Sequence, residues 1–351
     1  MKIRIAILLI LIFLGEGLNN YRELKDLAIL TTIAVDKEDE NYLVTAQIIN
    51  PTKEKNEIIV YEQRDKTIHK AIRKMIYDSP KKLFASHMQL IVVSEDIAKN
   101  GIKEIMDFFT KDSEISTDTN IVIAKGKAAE LLTIKTPIVT DPSLNLVESI
   151  KASEKFQGTI TSVEITEMLD FLLNDNKELI LPSAIVIENE FYVEENYEKT
   201  ILVSNMGYFK DDKLIGYLEE DDNMAYNFLN NNIKNAVIDC DESTIEVMAS
   251  NTSVKVKQNE VKFKIDATAN LTNLVGDSTP EKIDENFKNR ITEMLKNFVK
   301  NTKDKYNVDI INLNNYMYIH NYKKSEDFRD INVVIEVDIK IESEGEFISD
   351  N

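Results

Sequence analysis

Catalysis by side chains needs a nucleophile beside a base, a pair of carboxylates or a metal site, and histidine is the commonest base. This chain has three histidines, His69, His87 and His320. They sit in separate segments, and none belongs to an H-x-x-x-H or H-E-x-x-H spacing that would set two imidazoles on one helical face. His87 is the best placed, where a loop runs into an apolar strand, and a hydrogen-bonded structural role suits it better than a catalytic one. No G-x-S-x-G, Walker-type or G-x-G-x-x-G sequence occurs, which removes the usual hydrolase, nucleotidase and dinucleotide readings. The one cysteine, Cys240, lies between Asp239 and Asp241, whose charges disfavour a thiolate, so it reads as a part-buried strand residue. A single cysteine also excludes an intrachain disulfide and a thiolate-rich zinc or iron–sulfur cluster. The expectation is no catalytic residue, no cofactor and no metal.

Charge points the same way. With 42 Lys and Arg against 61 Asp and Glu, the net charge of -19 argues against a nucleic-acid partner, which needs clustered cations to displace counterions. The acidic runs Glu38-Asp39-Glu40, Glu194-Glu195 and Glu219-Glu220-Asp221-Asp222 lack the spacing of an EF-hand loop. Each falls at an expected turn or helix start, where carboxylates are solvated and favoured by the helix dipole. Lys81-Lys82 and Lys125-Gly126-Lys127 are the notable basic clusters of the N-terminal half. They could dock an acidic partner or a lipid phosphate, or simply be exposed loops.

These residues need elements to hold them. Lys2 and Arg4 precede the apolar run Ile5 to Leu14, about half of the ~20 residues a membrane-spanning helix needs. That pattern suits a signal peptide over 1–17 and so an exported chain, either cleaved after Gly17 or keeping the apolar run as an uncleaved anchor. An acidic turn at Asp36 to Asn41 separates two β-rich runs, a hairpin signal, and Ile58 to Tyr61 adds a third strand. From Lys66 to Tyr77, the residues Ile68, Ala71, Ile72, Met75 and Ile76 make a helical stripe that leaves His69 outside it. The clearest stretch is Ser79 to Phe109. Ser79-Pro80 interrupts the helix, MQLIVVS is a strand apolar on both faces, and Ser94 starts a helical region in which Ile102, Ile105, Met106 and Phe109 share one face. NIVIAKGKAAELL repeats the strand–turn–helix pattern.

Prolines at 137 and 142 mark a joint between an N-terminal α/β domain, 18–138, and a middle α+β domain, 141–231. The middle part has a helix over Ser143 to Phe156, a second helix after Thr161, and a hairpin turning at Lys210 to Lys213. From 232 to 351 the grammar changes. Val261, Phe263, Ile265, Ala267, Ala269 and Leu271 alternate with polar residues, as do Val333, Ile335, Val337, Ile339 and Ile341. Between them, Thr279-Pro280 opens a long helix with Ile283, Phe287, Ile291, Met294, Leu295 and Phe298 along one side. The expected fold class is α+β and multidomain: a mixed α/β N-terminal domain, a small middle domain, and a C-terminal antiparallel sheet covered by a long helix.

Arg22-Glu23-Leu24, Asp26-Leu27-Ala28-Ile29, Asp36-Lys37, Ser79-Pro80-Lys81-Lys82-Leu83 with His87, and Ala124-Lys125-Gly126-Lys127-Ala128 together resemble the Ger(x)C family. Its members are the C subunits of spore germinant receptors, usually lipoproteins. No single motif is specific; their order and spacing carry the likeness, strongest from Arg22 to Pro137. The resemblance implies a non-enzymatic, membrane-associated receptor subunit at the outer face of the spore inner membrane, working with an A and a B membrane subunit. On that reading Ser79, Pro80, Lys81, Lys82 and His87, with the N-terminal strand region, are the candidate partner surface. Whether the subunit touches the germinant stays open. The other reading is an exported ligand-binding protein for an amino acid or sugar, which needs a deep interdomain cleft. Two features depart from the family pattern. Leu18 stands where the acylated lipobox cysteine is expected, and the polar segment Asn312 to Asp330 lacks a tryptophan.

Overall fold

Strands that are apolar on both faces must be covered on both, and two such strands form the centre of the first sheet. The computed structural model describes residues 27–50, 57–75, 77, 81–136, 141–190, 197–240, 243–273, 280–323 and 325–343. The expected signal peptide, Leu18, the Arg22 to Asp26 motif, Ser79-Pro80, Glu194-Glu195 and Thr279 lie outside them. Strands β1 (Leu27–Glu38) and β2 (Asn41–Asn50) form the expected hairpin, with β3 (Glu57–Asp65) beyond β2. The turn is tighter than the acidic run suggests, with Asp39 at φ 51°.

Helix α1 (Ile68–Met75) returns the chain to β4 (Lys82–Phe84) and β5 (Leu90–Ser94), which both pair in parallel with β1. A bulge at Thr31 separates the two pairings. Ser94 caps α2 (Glu95–Asn100) through the Ile97 N–H, and α3 (Lys103–Lys111) follows. Its apolar face, Ile105, Met106 and Phe109, is buried as the spacing requires. Strand β6 (Asn120–Ala124) lies parallel to β5, and both are buried throughout. One face of this sheet packs Ile33, Val35, Ile91, Val93 and Ile121 against α1 and α3.

After α4 (Ala128–Leu131), α5 (Pro142–Phe156) and α6 (Ile165–Leu173) come β7 (Ile180–Leu181), β8 (Ser183–Glu188) and β9 (Lys199–Val203). Strand β8 joins β6 in parallel and β9 closes the edge, giving the order β3-β2-β1-β5-β6-β8-β9 with β4 beside β1. The expected division at 138–141 therefore falls inside the sequence that builds one sheet. Pro142 does open a new helix, but the open edge of β6 has to be paired, and the strands that pair it come later. Strand β7 instead joins the hairpin of β10 (Gly207–Lys210) and β11 (Lys213–Tyr217) in a small antiparallel sheet. Gly207 has no space for a side chain: a Cβ there would come within 2.7 Å of Ile123 Cδ1 and 2.8 Å of Leu214 Cδ1.

Helix α7 (Glu220–Leu229) leads to the last sheet, β12 (Ala236–Cys240), β13 (Ser243–Lys257), β14 (Glu260–Asn273) and β15 (Asn332–Ser343). The first three strands run antiparallel, as the alternation implies, but β15 is parallel to β14, a correction to the expected all-antiparallel sheet. The cause is α8 (Pro280–Asn301), which lies between them and carries the chain back over the sheet as a crossover. Ile283, Phe287, Ile291, Met294, Leu295 and Phe298 of α8 are all buried on the dry face, opposite Val261, Phe263 and Ile265. Helix α8 ends in a π-helical turn, Thr302–Tyr306, and α9 (Leu313–Ile319) follows. The core of this half is continuous with the other face of the first sheet, through Ala34, Leu90, Val92, Val122 and Ala124.

Candidate functional site

Lys82 opens β4, which pairs Lys82 with Leu27 and Phe84 with Ile29, so the nominated loop lies beside the beginning of β1. The structure thus brings together the two segments that the sequence nominated as a partner surface. Lys81 is half-buried, while His87 is exposed with its ring 5.7 Å from that of Phe84. A depression of about 270 Å³ adjoins them, floored by Leu30 and Ile33 and walled by Leu83, Ala85 and Phe108. Ser79 and Pro80 are outside the described residues. The histidines stay apart. His69 accepts from Arg73 Nε at 3.3 Å, and His320 Nδ1 is 3.0 Å from the Tyr316 carbonyl oxygen on α9. Among the described residues no group of three or more His, Cys, Asp or Glu side chains is arranged to hold a metal ion.

The second basic cluster divides. Lys127 is exposed, but Lys125 is half-buried: its ammonium donates to Ser204 Oγ at 2.8 Å and lies 4.1 Å over the Tyr217 ring. The β10–β11 hairpin folds back over the end of β6, and this burial lowers the Lys125 pKa, partly opposed by the nearby Glu95 carboxylate. Tyr217 donates to Glu95 Oε1 at 3.0 Å, and burial pushes its hydroxyl well above the ordinary range. On the other side of the cluster, Asp36 is buried and accepts from the N–H groups of Ala128 and Ala129 at 2.8 and 2.9 Å. Desolvation raises its pKa, and those two hydrogen bonds hold it back. The sequence pattern begins an acidic turn at Asp36. It is a strand residue whose carboxylate fixes the start of α4.

Between the small β7–β10–β11 sheet and the segment that leads into β15, a polar cavity of about 330 Å³ is lined by Glu178, Lys210, Asn307, Asp309, Asp327 and Arg329 among others. The Glu178 N–H donates to Asn312 Oδ1 at 2.9 Å, and its carboxylate accepts from the Asp211 N–H at 3.1 Å. Burial first, then the charges of Asp211 and Asp309, push its pKa up from 4.5 to about 7. A carboxyl raised on folding favours the folded state fully below its unfolded pKa, and that advantage is lost as pH rises through its folded pKa. The window is 4.5 to about 7. Glu178→Gln, which keeps an acceptor for Asp211, is expected to remove this slope and stabilise the protein by ~1 kcal/mol at about pH 8, a figure discounted for solvent screening. Urea unfolding of both forms at about pH 4.5 and pH 8 checks it, and an unchanged pH slope in the variant would refute the assignment.

A further cavity, about 820 Å³, is an open groove between α5, α7, β9 and β12. Phe156, Leu202 and Val237 expose 52%, 42% and 47% of their surface there, unusual for large apolar side chains so close together. Nothing in the sequence pattern marked it, because its walls come from four elements remote in the chain.

The fold thus assembles a half-buried carboxyl of raised pKa beside the small sheet and an exposed apolar groove between α5, α7, β9 and β12. Residues 20–186 match the family model "Spore germination protein N-terminal domain", and 204–345 match "Spore germination B3/ GerAC like, C-terminal". The chain belongs to the Ger(x)C family of spore germination proteins. It is 27% identical over 263 residues to spore germination protein KC of Bacillus subtilis (strain 168), covering 68% of this chain and 65% of that protein. It is 23% identical over 299 residues to spore germination protein A3 of the same organism, covering 77% and 73%. The match thus spans about two thirds of the length of protein KC, 65%. Its fold is similar to the crystal structure of the GerBC protein, with a TM-score of 0.56 and 15% identity over 88% of this chain and 96% of that one.

Proposed function

We propose that this chain is the C-type subunit of a nutrient germinant receptor, without enzymatic activity of its own, at the outer face of the spore inner membrane beside an A and a B membrane subunit. The observation that carries this is the pair of family matches, which follow one another in order and together run from 20 to 345. The fold supports it, because the similarity to the GerBC protein extends over both halves. The partner surface we propose is the segment that holds Ser79, Pro80, Lys81, Lys82 and His87, whose described part includes β4 beside the start of β1. Attachment is the second part of the proposal. No helix of the described residues is long and apolar enough to cross a membrane. With Leu18 at the lipobox position and Cys240 the only cysteine, we propose cleavage after Gly17 and retention at the membrane through the receptor complex.

Affinity isolation of the tagged full chain from spore membranes tests this reading. Multi-spanning partners are expected with the wild type, and the double change Lys82→Glu with His87→Glu is expected to reduce their recovery roughly tenfold, an order of magnitude suited to loss of interface contacts. Free protein that binds an amino acid or sugar by calorimetry, with no membrane partner recovered, would support the exported ligand-binding reading instead. N-terminal sequencing of the isolated chain decides attachment: a start at Leu18 is expected, whereas diacylglycerol on the chain or a start at Met1 would refute it.

A further inference from the structure

The groove between the sheets has a feature that apolar exposure alone does not give: one of its walls is an unpaired strand edge. Strand β9 pairs with β8 and, among the described residues, with no other strand. At its two ends Ser204 N donates to Ser183 O at 2.8 Å, and Asn189 N to Glu198 O at 2.9 Å. Hydrogen-bonded pairs alternate with non-bonded ones along an antiparallel ladder. That alternation turns the N–H and C=O groups of Thr200 and Leu202 toward β8 and those of Ile201 and Val203 outward, into the groove. Unpaired backbone of this kind is a template for another strand, and proteins usually blunt such edges with charge, proline or a covering loop. The only charged residue of β9 is Lys199, at its far end. Strand β12, the outer strand of the last sheet, forms the facing side through Val237 and Asp239.

The lining also selects an occupant. Its charged side chains are Glu220 and Asp239, and it contains no lysine or arginine. An extended chain with apolar residues for Phe156, Leu202 and Val237 would satisfy the walls, and cations would satisfy the two carboxylates. We propose that this groove takes an extended segment of a protein partner, added as a strand along β9 and alternating apolar or aromatic residues with lysine or arginine. The outward backbone groups supply affinity and register, and the apolar contacts supply specificity.

Panning a phage-displayed library of random peptides, each about twelve residues long so as to exceed the strand edge, against the full chain tests this. Enriched sequences are expected to alternate β-branched or aromatic residues with lysine or arginine. Val203→Pro removes an outward N–H at a place where an edge strand tolerates proline, and is expected to weaken those peptides roughly tenfold or more with unchanged melting temperature. Should that variant unfold, Leu202→Asp at an exposed position is the second probe, with the same loss expected. Backbone N-methylation of the peptide at alternate residues is expected to abolish binding in one register only. The proposal is overturned by enriched peptides insensitive to both variants, by equal binding of N-methylated peptides in both registers, or by no enrichment. It is also overturned by a dimer in sedimentation that Val203→Pro dissociates, which would make a second copy of this chain the occupant.

Discussion

Replacing Phe263 by alanine is expected to destabilise the protein by ~3–5 kcal/mol, the range for removing a fully buried aromatic side chain. Phe263 lies near the start of β14, is 0% exposed, and meets the Tyr316 ring edge-on at 5.6 Å between centroids. The substitution therefore removes transferred apolar area, opens a cavity below α8 and α9, and deletes an aromatic pair. The next residue, Lys264, points to the wet face, so Lys264→Ala should shift stability by less than ~0.5 kcal/mol. Denaturant unfolding measures both. Equal effects at the two positions would show that the assigned dry face is wrong.

A second large loss, ~2–4 kcal/mol, is expected from Asp222→Ala, because one buried and one half-buried donor would lose a buried acceptor. Asp222 is 3% exposed, accepts from the Tyr306 hydroxyl, and accepts from Asn301 Nδ2 at 3.0 Å. It thereby ties the first turn of α7 to the π-helical turn that ends α8. Burial and this carboxylate both push the Tyr306 hydroxyl up. Its neighbour Asp221 makes a two-pronged contact with Arg290 at 2.9 Å, but on the surface, where such a pair contributes less than ~1 kcal/mol. Asp221→Ala should therefore be mild and Asp222→Ala severe, with Asp222→Asn intermediate. Thermal melts of the three variants give the comparison, and a mild Asp222→Ala would sink it.

Those adjacent carboxylates show where sequence reading stops. The run 219–222 looked like one solvated helix start, and for Glu219, Glu220 and Asp221 exposure agrees. Nothing local distinguishes Asp222, because the residues that bury it are 79 and 84 positions away. Gln47 is similar. A polar residue within the β-rich run of β2, it is 0% exposed, donates to Asp141 at 2.6 Å and accepts from Ser143 at 2.8 Å, locking the β1–β2 hairpin to the start of α5.

The sequence by itself determined the elements whose environment repeats along the chain. The buried run of β5, the alternation of β14 and the single apolar face of α8 follow from periods of two and 3.6 residues, because one side of each element meets one uniform surface. The order of weak motifs from Arg22 to Ala128 also determined the family. The tertiary structure alone decided which strands pair, and so that β8 and β9 complete the first sheet and that β15 runs parallel to β14. It also decided which polar groups lose contact with water: Asp36, buried at the start of α4, and Lys125 over Tyr217 and Glu178 beside the small sheet, both half-buried. Local periodicity encodes which way a side chain faces. What it faces depends on chain crossings of tens of residues, and those are fixed by the joint burial of surfaces that no short window contains.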